Sequence, residues 1–222
     1  MLKKAFFPGK YIQGAGALNE LPSLIKLFGS HGLILVSPTV QKTILPECGI
    51  DFSAHSLSVE HFNGECCEKE LSRLAATISD QHVDVLVGMG GGKTIDTAKI
   101  ASDRSDIPVI IVPTIASTDA PCSGCAVLYS GQGTMESVYY QKSNPAAVLV
   151  DTEIIVRAPV RFLVSGMGLL VGSWTSSNIT GSLGAIGNKY GYSIYAYVGG
   201  STEPVIYYPT NSTGLIVGSC DL

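Results

Sequence analysis

The chain has 222 residues, 45% hydrophobic and 14% charged, with a formal charge of −4 at neutral pH. That much apolar residue fills a core for one large domain, or one domain and an appendage, and excludes a disordered chain. Lysines and arginines are scattered within a net acidic balance, which argues against general affinity for nucleic acid or anionic membranes and leaves soluble small-molecule chemistry as the expectation. Pro8 and Gly9 interrupt the N-terminus before a signal-peptide core forms. No uncharged apolar run reaches the roughly 18 residues of a membrane span, so a cytoplasmic location is the default.

In chain order, residues 15–28 read as a helix, 32–37 (GLILVS) as a strand and 39–48 as a second helix. Residues 67–80 follow as a helix with Leu71, Leu74, Ala75 and Ile78 at helical spacing, then strand 83–88, helix 93–103, strand 108–113 and strand 146–151. The four strand runs are short, nearly continuous and rich in Val and Ile, as in parallel strands buried on both faces. Strands alternating with helices predict an α/β fold: a parallel, Rossmann-like nucleotide-binding sheet with flanking helices. Residues 126–130 and 136–140, joined by Ser130-Gly-Gln-Gly-Thr134, read as a β-hairpin projecting from it as a flap. After Gly168 the chain turns rich in Gly, Ser, Thr and Tyr, with Lys189, Glu203 and Asp221 its only charges. Helical periodicity ends there, 190–198 and 205–208 favour strands, and a boundary falls near 165–169. The division expected is residues 1–165 as a nucleotide domain and 166–222 as an atypical β-rich or disordered tail.

Between the apolar run Val83 to Val87 and a helix lies Gly88-Met-Gly-Gly-Gly-Lys-Thr-Ile-Asp-Thr97. Residues without side chains let main-chain N–H groups approach a phosphate, and the helix N-terminus adds partial positive charge. A Walker A loop needs four residues between its first glycine and Gly-Lys-Thr, but only three separate Gly88 from Gly92. The pattern G-x-G-x-x-G laid from Gly88 needs a glycine where Lys93 stands. The turn therefore reads as a phosphate cradle outside both families, against the alternative of a tight strand-to-helix connection with no ligand.

Six cysteines (48, 66, 67, 122, 125, 220) without a secretory signal read as reduced thiols. Cys122-Ser-Gly-Cys125 is half a metal site at most, and the four histidines (31, 55, 61, 82) lack the i, i+4 spacing of a helical zinc motif.

The strings Gly90-Gly-Gly-Lys-Thr-Ile-Asp-Thr-Ala-Lys99, Val112-Pro-Thr-Ile-Ala-Ser-Thr-Asp-Ala-Pro-Cys-Ser123, Phe62-Asn-Gly-Glu-Cys66, Val150-Asp-Thr-Glu-Ile-Ile155 and Ser165-Gly-Met-Gly168 resemble the bacterial glycerol dehydrogenases of the metal-dependent, iron-containing alcohol dehydrogenase family. The likeness runs in order over about residues 5–168. It implies NAD-dependent oxidation of glycerol to dihydroxyacetone, by an N-terminal α/β nucleotide domain and a C-terminal helical domain holding most of a zinc or other divalent metal site. Carried over, it puts Gly90, Gly91, Gly92, Lys93, Thr94, Ile95 and Asp96 at the NAD pyrophosphate. It sets Thr114 and Ser117 on the nicotinamide side, and Ser123, Cys125 and Tyr129 around the ribose. Asp119 is the implied catalytic and substrate-binding residue, a carboxylate suited to accept two hydrogen bonds from a vicinal diol. Taken alone, Asp119 also fits a turn before Pro121, and Lys93, Thr94 and Asp96 fit an ordinary first helical turn. Glycerol or a related small polyol is the implied partner, with no nucleic acid and no membrane, and a homo-oligomer is a compatible assembly.

The chain departs from the family's pattern at three places. Cys125 replaces an apolar residue. Pro38 stands where the family has an aspartate for the adenosine ribose, which puts the choice of NAD over NADP in question. Leu169 stands where it has a metal-binding aspartate, and no histidine follows, so no metal ligand is assigned. Two readings stand: a glycerol dehydrogenase by family, or a nucleotide-binding remnant without turnover, produced by truncation or a shifted reading frame after Gly168.

Overall fold

The computed structural model describes residues 7–51 and 56–167. Residues 169–222, including the strands expected at 190–198 and 205–208, lie outside the described residues, and the boundary expected at 165–169 falls at the end of the described part.

Six parallel strands, β1 (Tyr11–Gly14), β2 (Gly32–Val36), β3 (Leu57–His61), β4 (Val85–Gly90), β5 (Val109–Pro113) and β8 (Ala147–Asp151), form one sheet in the order β1-β8-β5-β4-β2-β3. The four strands read from the sequence are its four central ones. Their residues alternate between two cores. Leu33, Leu35, Leu86, Ile111 and Val148 face α3 (Glu68–Asp80) and α4 (Gly92–Arg104), where Leu71, Leu74, Ile95 and Ala98 meet them. Ile34, Val36, Val87, Ile110 and Leu149 face a 3-10 turn (Ala17–Glu20), α1 (Leu21–Phe28) and α2 (Pro38–Thr43).

Several boundaries differ from expectation for local reasons. The helix read at 15–28 is split, because Gly16 sits at φ 69 and Pro22 restarts the chain as α1. The helix read at 39–48 runs only from Pro38 to Thr43, starting where the Ser37 side chain accepts from Val40 N–H and ending ahead of Pro46. The buried Asp151 carboxylate caps two elements, accepting from Leu18 N–H at 2.9 Å and from Glu153 N–H of α5 (Thr152–Arg157) at 3.0 Å.

The hairpin, β6 (Cys125–Tyr129) and β7 (Met135–Tyr140), forms its own two-stranded sheet. It lies along α4 rather than standing free: Val127 N–H donates to Asp96, Tyr129 N–H donates to Cys66 C=O, and Tyr139 hydroxyl donates to Asp103. Residues 160–167 are helical and leave Val160, Val164 and Met167 exposed.

Candidate functional site

The sheet order locates the site. From β2 the chain proceeds outward to β3, then crosses back to β4 and continues the other way to β5, so the strand order reverses between β2 and β4. In open α/β sheets, ligands bind beyond the carboxyl ends of the strands at such a reversal. A cleft of about 730 Å³ opens there, with Ser37 after β2 and Gly91 after β4 in its wall.

The glycine turn sits at its rim. Gly90 ends β4, Gly91 precedes α4 with extended backbone, and no side chain caps the helix. Among the described residues, no protein acceptor engages the N–H groups of Gly92, Lys93 and Thr94, three of the donors a helix start leaves unpaired. They remain available to an anion.

Glycine density, however, also has a packing cause, the tight strand-to-helix connection that stood as the alternative. A Cβ on Gly88 would meet Ala98 Cβ at 2.5 Å, one on Gly90 would meet Thr94 at 2.9 Å, and one on Gly91 would meet Ile115 at 2.9 Å. Gly88 lets α4 lie close on the sheet, and Gly90 and Gly91 admit Thr94 and the loop after β5. The open amides, more than the glycine count, therefore mark the turn.

The loop 114–125 passes over the turn. Thr114 N–H donates to Gly90 C=O at 3.1 Å, Thr114 joins Gly91 in the cleft wall, and Ile115 and Thr118 pack against Gly91 and Gly92. Ser117 and Asp119 are half-buried in this loop. Lys93 turns away from the cleft to an ion pair with Glu65 at 2.5 Å and sits 5.0 Å from the centre of the Tyr129 ring. Thr94 and Ile95 are buried under the turn.

Asp96 points to the hairpin. It is 7% exposed, accepts from Val127 N–H at 3.2 Å, and burial raises its pKa to about 6 against the opposing pull of Lys99. Of the residues expected around the dinucleotide, Gly91 and Thr114 line the cleft, whereas Gly90, Gly92, Lys93, Thr94, Ile95, Asp96, Ser117, Asp119, Ser123, Cys125 and Tyr129 lie outside its wall.

Sequence reasoning passed over Lys99. Its side chain is fully buried, and its ammonium donates to Ala120 C=O at 2.9 Å, to Ser123 Oγ at 3.1 Å and to Cys125 C=O. One lysine thus fastens the loop carrying Asp119, Ser123 and Cys125 to α4. Cys122 and Cys125 act through their carbonyls, which accept from Asn144 and Lys99, and burial pushes the Cys122 thiol up to about 11. Among the described residues no three His, Cys, Asp or Glu side chains converge to hold a metal ion.

Comparison with known proteins shows the family and the fold. Residues 8–152 match the model for iron-containing alcohol dehydrogenases. The chain belongs to the iron-containing alcohol dehydrogenase family. It is 41% identical over 196 residues to the glycerol dehydrogenase of Thermotoga maritima, covering 84% of this chain and 54% of that protein. With the glycerol dehydrogenase of Pseudomonas putida it shares 40% over 174 residues, 75% of this chain and 46% of the relative. The crystal structure of a probable glycerol dehydrogenase from Sinorhizobium meliloti superposes with a TM-score of 0.73 at 38% identity, covering 78% of this chain and 48% of that one. The chain spans about half the length of the curated relatives it matches. The family match ends at residue 152, within the described part of the chain.

Proposed function

We propose that residues 1–165 are the dinucleotide-binding part of an NAD-dependent oxidoreductase of the glycerol dehydrogenase type. The amides of Gly92, Lys93 and Thr94 would hold the pyrophosphate, and Asp119 would orient glycerol or a related polyol. Bound NAD would supply the hydride acceptor. One observation carries this reading: three unengaged main-chain donors at a helix start, directly after Gly91 in the wall of a cleft at the point where the strand order reverses. The likeness to glycerol dehydrogenases supports the polyol. Lys93 reaches a phosphate only by leaving Glu65, so its role is an exchange of one anion for another.

Among the described residues, no set of side chains fits a catalytic zinc. Such a site needs about three protein ligands. No such group exists among the described residues, and Leu169 stands where the resemblance puts a metal-binding aspartate. That mismatch favours a second reading, dinucleotide binding without turnover.

Calorimetric titration of the 222-residue chain with NAD, beside an NADH-forming assay with glycerol and added zinc, separates the readings. Saturable 1:1 binding supports the dinucleotide site, and its absence refutes it. NADH formation refutes binding without turnover.

A further inference from the structure

In a doubly wound sheet, the end of the strand beside the glycine turn decides which dinucleotide is held. A carboxylate there accepts bonds from the ribose hydroxyls and repels a 2′-phosphate, whereas an arginine nearby accepts that phosphate. Here that strand is β2, whose Val36 lies opposite Met89 of β4, and it continues Ser37-Pro38-Thr39. Ser37 N–H donates to Met89 C=O at 3.3 Å, which fixes the strand end beside the turn. Ser37 and Thr39 line the cleft, and the Ser37 hydroxyl is already engaged by Val40 N–H as a helix cap. The strand end presents no carboxylate.

Cations stand in the cleft wall. Arg157, at the end of α5, pairs with Glu47 at 3.2 Å, which sets its guanidinium beside the segment following α2. Arg161 sits 4.8 Å from the Phe162 ring centre and has no carboxylate partner among the described residues. Of the three acids in the wall, Glu47 is held by Arg157 and Asp151 is engaged by the N–H groups of Gly16, Leu18 and Glu153. Glu153 follows β8, three strands from β2. None of the three takes the strand-end position.

We propose that this cleft accepts a nicotinamide dinucleotide carrying a 2′-phosphate on its adenosine ribose at least as readily as the unphosphorylated form. Arg161 and Arg157 take that phosphate, and the Ser37-Pro38-Thr39 strand end does not exclude it. The inference rests on the dinucleotide reading above and specifies its ligand.

The test is calorimetric titration of the 222-residue chain with NADP and with NAD in parallel. NADP is expected to bind as tightly as NAD or more so. Arg161→Ala is expected to weaken NADP about tenfold, the worth of one charge-assisted bond, and to leave NAD within about twofold. Ser37→Asp keeps a helix-capping side chain and places a carboxylate at the strand end, and is expected to turn the preference to NAD. Tighter binding of NAD than of NADP by the unaltered chain overturns the proposal. So does an unchanged NADP-to-NAD ratio in both Arg157→Ala and Arg161→Ala. Binding of neither nucleotide instead overturns the dinucleotide reading, and this inference falls with it.

Discussion

Asp96 offers a quantitative test of the packing between α4 and the hairpin. Burial raises its pKa from 3.8 to about 6, so folding favours the protonated carboxyl. The folded chain then binds more protons than the unfolded one between those values, and stability falls as pH rises through that window. The full difference is worth about 3 kcal/mol at neutral pH. About 1 kcal/mol of it is already lost at pH 4.5, leaving about 2 kcal/mol to disappear by pH 7.5. Asp96→Asn retains an oxygen able to accept from Val127 N–H and removes the titration.

Urea unfolding followed by far-ultraviolet circular dichroism, run on both proteins from pH 4.5 to 7.5, isolates the effect. The unfolding free energy of the unaltered chain should fall relative to the variant by about 2 kcal/mol across that range. Other perturbed groups cancel in the difference. Glu68, Glu70 and Asp84 are shifted down, while Tyr11, Cys66 and Cys122 are shifted up to values between about 11 and 12, and all are common to both proteins. Parallel pH profiles would refute burial as the cause and would mean that Asp96 is ionised and well solvated.

Three further outcomes follow from packing and hydrogen bonding. Gly88→Ala forces a methyl to 2.5 Å from Ala98 Cβ between α4 and the sheet, and should lower the unfolding free energy by about 1–3 kcal/mol, read as a reduced urea midpoint at unchanged slope. Lys99→Met takes the ammonium away from the carbonyls of Ala120 and Cys125 and leaves them to the longer contacts from Ser123 Oγ at 3.3 Å, so amide hydrogen exchange should quicken across residues 120–127 while β4 and β5 stay protected. Equal acceleration throughout the sheet would show instead a global loss of stability. Glu65→Gln removes the charge that holds Lys93, and should tighten pyrophosphate binding by about two- to tenfold in a calorimetric titration; weaker binding would mean that the pair orders the site.

The sheet's interior was legible in the sequence, and its edges were not. β2, β4, β5 and β8 are buried on nearly every residue, so each shows as a continuous apolar run. β1 (YIQG) and β3 (LSVEH) are edge strands with half-exposed residues, and their polar positions break both the continuous and the alternating pattern. Lys99 was invisible for a related reason. A lysine in a helix ordinarily reads as solvated, and only the burial of every residue from Thr94 to Ser102 makes it an internal donor. Pro38 was legible as an anomaly, yet the strand-end segment it belongs to gained meaning only with the two arginines that share its cleft, more than a hundred residues away in sequence.

The glycine turn shows why packing and binding are joint causes of one geometry. Gly88 and Gly90 bring α4 and Thr94 close to the strand end, and Gly91 lets the loop after β5 cross above. The first helical amides, next in the chain after Gly91 of the cleft wall, have no protein acceptor among the described residues. A glycine substitution at Gly90 or Gly91 therefore disturbs packing first, and any loss of binding it causes is uninformative about the amides themselves. The discriminating perturbation changes the ligand: a dinucleotide compared with its separate adenosine and nicotinamide mononucleoside halves alters the pyrophosphate while leaving every protein contact in place. If the two halves together bind as favourably as the intact dinucleotide, after allowance for the cost of associating an extra molecule, the amides contribute nothing and the turn is packing alone.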